Sequence, residues 1–582
     1  MRKSLCLAIG LGISAGTVAQ PSPPVEVIEI VGVTPLGGDL DTNRIAANVQ
    51  TASAAELREK NALDLTDFMK RSMGSVFVND AQSNPLQPDV QYRGFVGSPL
   101  LGLPQGLAVY QDGVRVNEPF GDTVSWALIP ESAIKELYLV PGSNPLFGLN
   151  ALGGAIAVRT KDGFANDDTS AELTAGSFGR VSVQAETGGA FSDDLGYFLT
   201  VSLLEEDGWR DYSPTDAQQI FGKLTWRGDN SRLDVSLTRA DTDLVGNGAA
   251  PEDLLEMDPE AIFTHPDHTE NALTMLGVTA EQSLSPNVTL RGNIYVRASD
   301  IDTLNGDDSD FQECTATPGF ICEDEDGTEE VALDENGLPI AADDDLEGGS
   351  VNRTDTEQDG KGFGLQADFT GDLAGRDNLF TIGVALDEGD IEFGASTELG
   401  ALDSTRQAIG GGVFVGEAFT GLESSISNTG FYLSNTFSLG ERTALTVSGR
   451  YNRTHVELED QIEDDLDGDH TFERFNPAIG VTFGTEAVTF YAGYSEANRA
   501  PSPVELTCAD EDDPCRLPNA FLADPPLEQV VARTLEAGFR GDLKGGSWHA
   551  GVFRTTNDDD ILFISAGALT NQGFFDNVGE TR

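Results

Sequence analysis

Few of the side chains able to do chemistry stand close enough together to do it. Of five His, only His265 and His268 are near neighbours, while His455, His470 and His549 stand singly among candidate strands and loops. A hydrolase needs a nucleophile beside a base, and neither a GxSxG elbow nor a P-loop occurs. Gly10, Gly12 and Ala15 spell part of a dinucleotide-binding pattern, but no strand precedes them and no acidic residue follows at the ribose distance. The nearest approach to a cation site is DLDGD at 465–469, which lacks the twelve-residue calcium-loop pattern. Acid-rich stretches at 300–359 and 457–469 therefore read as long solvated loops. No catalytic residue, metal ligand set or cofactor is assigned. Four Cys form two close pairs: Cys314 and Cys322 flank TATPGFI, and Cys508 and Cys515 flank ADEDDP. With no His beside either pair, local disulfides in an exported protein are the expected chemistry, ahead of zinc.

The chain has 97 acidic against 35 basic side chains, a net charge of −62. Such a charge repels phosphate backbones and excludes nucleic acid as a partner. No apolar run reaches the 18 residues of a spanning helix. Export is read from the start: Arg2 and Lys3 precede a short apolar stretch, and Thr17 and Ala19 supply small residues for cleavage, so residues 1–19 are expected to be a signal peptide. Residues 20–40 are an extended, Pro-flanked segment.

Residues 41–163 have a mixed α and β texture. Ser53-Ala54-Ala55-Glu56 is a capping box that predicts a helix, and 63–71 predicts a second. Short strands are predicted around 89–94, 106–111, 134–141 and 154–160, separated by Gly, Pro and Asn turns. From about 170 onward, alternating segments of about ten residues take over. Val288, Leu290, Gly292, Ile294 and Val296 share one face, with Thr289, Arg291, Asn293, Tyr295 and Arg297 on the other. Phe431, Leu433, Phe437 and Leu439 alternate likewise, and a turn at Gly440-Glu441 leads into Leu445, Val447, Gly449 and Tyr451. Roughly sixteen to eighteen such strands, with short turns and long loops in alternation, predict an antiparallel outer-membrane β-barrel. No fixed repeat period points to a propeller.

Five segments carry a family resemblance, in one order along the chain. QYRGF at 91–95 holds Arg93 and Gly94; YQDGVRVNEP at 110–119 holds Asp112 and Gly113. IKELYLVPGSNPLFGLNALGGAIAVRTK at 134–161 holds Gly142, Gly148, Gly153 and Gly154. YSEANRAPSPVEL at 494–506 and RTLEAGFRG at 533–541 lie among the strands. Together these resemble the plug domain and β-barrel of TonB-dependent outer-membrane receptors. The resemblance implies a plug at 41–163 inside a barrel at 164–582. It also implies import of an extracellular small molecule or metal chelate, energised by the periplasmic TonB protein. VEVIEIVG at 25–32 is similar to the TonB box, which makes Glu26, Val27, Ile28, Glu29, Ile30 and Val31 the expected TonB-contacting residues, by addition of a strand to the partner's sheet edge. About 20 residues between leader and plug leave no room for a signalling domain.

Two departures from the family stand out. Pro141-Gly142-Ser143 replaces the usual Arg-Gly-Pro, removing one Arg that commonly faces barrel carboxylates. The family has twenty-two strands, and the final GFFDNVGETR lacks an aromatic closing strand, so the barrel is expected to stop short of its last strands. The resemblance places Arg93 in the lumen near Glu536, as a plug–barrel pair or as an exposed Arg. In a partly wet lumen such a pair is expected to contribute ~0–1 kcal/mol. Active import is the leading function, ahead of a passive channel or adhesin and of an outer-membrane enzyme. Ferric siderophores are the commonest cargo of the family; cobalamin, haem, saccharides and other chelates stay open.

Overall fold

The computed structural model describes residues 30–80, 82–325, 328–462, 466–485, 488–511, 515–516, 527–543, 546–566 and 572–582. The expected leader and Glu26, Val27, Ile28 and Glu29 lie outside the described residues.

The described residues open with a small hairpin, β1 (Ile30–Thr34) and β2 (Gly37–Asp41), with Ile30 opposite Asp41 and Val31 opposite Leu40. The reading of 20–40 as one extended segment is thus corrected: Gly37, at φ +103°, allows the chain to turn back on itself. Next come β3 (Gln50–Ser53), α1 (Ala54–Lys60) and α2 (Leu65–Ser72). Ser53 caps α1 reciprocally with Glu56, its N–H donating to that carboxylate at 2.8 Å, and Asp64 caps α2 by accepting from the Asp67 N–H at 2.9 Å.

A three-stranded sheet follows: β4 (Val76–Asn79), β5 (Asp89–Tyr92) and β6 (Phe95–Gly97). The main plug sheet runs β3-β9-β10-β7-β8, where β7 is Leu107–Gln111, β8 Val114–Arg115, β9 Ile134–Pro141 and β10 Gly154–Thr160. Strands β10 and β7 are parallel and the other pairs antiparallel. Phe68, Met69, Val90, Tyr92, Leu137 and Leu139 are buried between the helices and these sheets, each large apolar side chain worth about 1.5–3 kcal/mol of transfer free energy.

From Thr169–Ala175 to Gly546–Asp558, fifteen strands follow one another antiparallel, each bonded to its sequence neighbours in the sheet. A short sixteenth, Ala408–Phe414, pairs only with Asp377–Leu402. The connections alternate strictly. Residues 286–287, 373–376 and 441–442 are tight turns at one end, whereas 246–266, 309–348 and 403–419 are long loops at the other. Alternation along each strand decides what faces where: Ile294 and Val296 are 56% and 53% exposed on the outside, while Tyr295 and Arg297 point inward at 7% each. An apolar outer band over a polar inner face is the barrel pattern.

Two expectations about this sheet need correcting. Residues 300–308 and 349–359 continue the strands Val288–Asp308 and Gly349–Asp372, so the loop between them is shorter than the acidic composition suggested. Their Thr, Asn and Asp side chains hydrogen-bond across the ladder, as in Thr303 with Thr354 at 2.6 Å, so polarity on both faces does not end a strand. Likewise Gln572–Asn577 pairs with Ile561–Ser565 on one side and Cys515–Arg516 on the other, outside the wall order. Among the described residues no ladder joins Thr169–Ala175 to Gly546–Asp558.

Candidate functional site

The plug is fastened to inward side chains of the wall at points spread round the sheet, and the sequence motifs make the plug's half of these fastenings. Arg93 and Gly94 both take positive φ, 55° and 91°, between β5 and β6, where Tyr92 pairs with Phe95. A two-residue turn of this kind matches the strand twist and pushes its first side chain outward. The Arg93 guanidinium reaches the wall strand Val530–Leu543 and donates twice to Glu536, Nη1 to Oε2 at 2.8 Å and Nη2 to Oε1 at 3.1 Å. It also lies 4.2 Å from the centre of the Phe553 ring. Both charged side chains are only 7% exposed. The expected value of ~0–1 kcal/mol, which assumed solvent screening, therefore does not suit this pair: removing one partner strands the other in a buried site.

Asp112-Gly113 repeats the device between β7 and β8, with φ of 49° and 84°. The Asp112 carboxylate accepts from the Thr160 N–H at 2.9 Å, the Thr160 hydroxyl at 2.5 Å and the Lys223 ammonium at 2.9 Å. Burial alone would lift this carboxyl; Lys223 and the Thr160 donors outweigh it and hold it below the usual carboxylate range. Arg297 of the wall donates to the carbonyls of Val116 and Asn117 at 3.2 and 3.1 Å and to the Glu118 carboxylate, which also accepts from Ser299 at 3.0 Å. Gly142, Gly148 and Gly154 carry positive φ. Gly153 is needed for room, since a Cβ there would lie 2.4 Å from Phe95.

At the short-turn end the wall clasps the first plug residues. Arg540 donates to the carbonyls of Thr42, of Ile45 at 2.7 Å and of Ala47 at 2.6 Å. Arg44 donates to Ser438 at 2.9 Å, and Thr489 to Asn43 at 2.9 Å. The Asn48 N–H reaches Glu536 Oε1 at 3.4 Å, so one carboxylate holds both this segment and Arg93. At the long-loop end a cavity of about 440 Å³ separates plug loops from the wall; Gln87, Leu101, Phe120, Phe263, Asp267 and Asp307 are among its lining. Above it Arg210 ties plug to loops, donating to Ser83 at 3.1 Å and to the carbonyls of Asn247, Gly248 and Ala261 at 2.7–3.2 Å.

Other expected residues fall as follows. Ile30 and Val31 lie in β1, at the same end as the Arg540 clasp. Cys314 is joined to Cys322 and Cys508 to Cys515, both in long-loop connections. In the DLDGD stretch Asp465 lies outside the described residues, and Asp467 accepts from the Asp460 N–H at 2.8 Å, closing the loop locally. Lys223, Arg210 and Arg540 were not singled out from sequence. For Lys223 and Arg540 the usable signal was a basic side chain on the inward face of an alternating strand, which Arg297 shared; Arg210 lies in the connection 207–214 and carried no such signal.

Comparison with known proteins adds two family matches. Residues 208–582 match the family model described as TonB dependent receptor-like, beta-barrel, and residues 41–155 match the TonB-dependent Receptor Plug Domain. A vitamin B12 transporter, BtuB, of Vibrio vulnificus strain YJ016 is 25% identical over 241 residues, 38% of this chain; the matched part is 37% of that relative, little more than a third of its length. Among solved structures, the ferric citrate transporter FecA in its unliganded form superposes with a TM-score of 0.69 at 13% identity, over 91% of this chain and 73% of that one. The ferric yersiniabactin uptake receptor FyuA of Yersinia pestis gives 0.65 at 13% identity, over 89% and 73%. At such identities the superpositions establish the fold.

Proposed function

Because the chain belongs to the TonB-dependent receptors, we propose that it works in an outer membrane as an energised importer of a scarce solute, a ferric siderophore or similar chelate, with no catalytic step of its own. Solute enters from the long-loop side, fills the cavity between plug and wall, and passes inward when the plug yields.

The observation that carries this reading is the line of contacts running from the N-terminal segment to the plug turns. A periplasmic TonB strand paired with residues 25–31 pulls first on residues 42–48, held by Arg540. The next joint is Glu536, which grips Asn48 and Arg93 together. Hydrogen bonds to carbonyls and a single carboxylate node resist solvent but break one at a time under directed load. Irregular plug backbone is tolerable here because protein, not lipid, surrounds it.

The test uses the full-length protein in a Gram-negative host. Ile28→Pro or Ile30→Pro removes a ladder donor from the pairing segment. Uptake of the transported chelate is expected to stop while surface binding persists. Undiminished transport after deletion of residues 20–31 would instead establish a passive channel.

A further inference from the structure

We propose that the outward cavity accepts a cargo of no net negative charge, one that donates hydrogen bonds to Asp267 and Asp307, and that it rejects anionic ferric chelates. This rests on the importer reading and narrows its cargo.

The lining decides it. Among the described residues that line the cavity none is Lys, Arg or His, whereas Glu118, Asp267 and Asp307 contribute carboxylates. Glu118 is neutralised by Arg297. Asp267 and Asp307 have no cation within ion-pair distance among the described residues, and Asp307 accepts from the Asn352 amide at 2.9 Å. They sit on the adjacent strands Asp267–Ser285 and Val288–Asp308, with Asp267 opposite Asn305, two residues from Asp307. A bound anion would therefore meet two carboxyl groups and no cation among the described lining residues.

The basic groups behind the lining give all their donors but Arg297 Nε to the protein itself. Arg297 gives its donors to the Val116 and Asn117 carbonyls and to Glu118, and Arg210 gives its own to Ser83 and three backbone carbonyls. Asn247 spends its NH₂ on the Asp211 and Tyr212 carbonyls and Ser213, while among the described residues its Oδ1, like Gln87 Oε1, accepts no hydrogen bond. Two buried acceptors thus stand unpaired at the cavity among the described residues. Leu86, Leu101, Phe120 and Phe263 supply apolar surface for a hydrocarbon part. The approach agrees with the lining, since a chain of net charge −62 repels anions before contact.

Four probes test this with the purified full-length protein in detergent: a neutral ferric tris-hydroxamate, the same chelate bearing a free amine, a trianionic ferric tris-catecholate, and ferric citrate. Binding is read by quenching of intrinsic fluorescence. The neutral and cationic chelates are expected to bind at least tenfold more tightly than either anion. In the Asp267→Asn/Asp307→Asn variant the cationic probe should lose about tenfold and the preference should shrink. The wild-type ranking alone suffices should that variant fold poorly. Equal or tighter binding of the anionic chelates overturns the charge assignment and leaves the importer reading standing. Failure of all four to bind overturns the assignment together with the chelate class.

Discussion

Arg93→Ala isolates one plug–wall joint and its cost can be worked from the structure. With both side chains 7% exposed, the deletion leaves the Glu536 carboxylate buried without its guanidinium partner. Its remaining donors are the Tyr491 hydroxyl at 3.3 Å and the Asn48 N–H at 3.4 Å, both long and each weaker than a guanidinium pair. Breaking a buried pair costs about 3–5 kcal/mol, and replacing both partners with apolar groups is near neutral. The lower end applies here because two donors survive, so about 3 kcal/mol is expected for Arg93→Ala. That is on the order of a hundredfold rise in the loosened plug population. Glu536→Ala, which strands Arg93 over Phe553, should cost a similar amount, and Arg93→Met/Glu536→Met should recover most of the loss. With Met at both positions in singles and double alike, two losses of about 3 kcal/mol against a near-neutral double make a coupling of about 5 kcal/mol. Plug unfolding in urea can be followed at Trp126, buried in the plug, once Trp209, Trp226 and Trp548 are Phe. Additive single losses, or an Arg93→Ala cost below ~1 kcal/mol, would refute the buried-pair reasoning.

Three further outcomes are expected. Arg540→Gln leaves the Thr42, Ile45 and Ala47 carbonyls short of their donor, so amides 42–48 should exchange at least tenfold faster while the β10 amides are unchanged; unaltered protection would show that the clasp carries no load. Burial, with Asp64 and Asp67 adding repulsion and Arg180 opposing, pushes Glu131 up to about 8. The folded plug thus holds a proton that the unfolded chain has released, and plug stability should fall as pH rises from about 4.5 to about 8; Glu131→Gln should flatten that slope, and an unchanged slope would contradict it. Non-reducing peptide maps should recover Cys314 with Cys322 and Cys508 with Cys515. Each closes a short loop, and its loss should cost about 2–3 kcal/mol locally, whereas four free thiols would contradict the pairing.

What was legible in the sequence was what local chemistry dictates. The Ser53 and Glu56 capping box, the Arg93-Gly94 and Asp112-Gly113 turns and the inward–outward alternation at 288–297 all act over a few residues, and the helix, hairpins and wall strand appear there. Strand ends were less legible, because Thr303 and Asn305 on an extended strand look like Thr and Asn in a loop until their cross-strand partners are known. Arg93 and Glu536 could be paired only through the family's order of motifs, being 443 residues apart. The Arg540 clasp escaped entirely. Its acceptors are backbone carbonyls, which every residue carries, and they lie 493–498 residues away. The cavity was illegible for the same reason, since its carboxylates, amides and apolar groups converge only after the sheet curls round the plug.

The most direct test of the account is uptake with the plug locked to the wall. Ser143 Oγ and Thr534 Oγ1 are 2.8 Å apart, so Ser143→Cys/Thr534→Cys places two thiols within bonding reach across the plug–wall boundary. In whole cells, uptake of the transported chelate is measured with this lock oxidised and then reduced, against surface binding in the same cells. The oxidised lock is expected to keep binding but to cut uptake more than tenfold, with recovery on reduction. Uptake at the unlocked rate, with cross-linking complete, would contradict it.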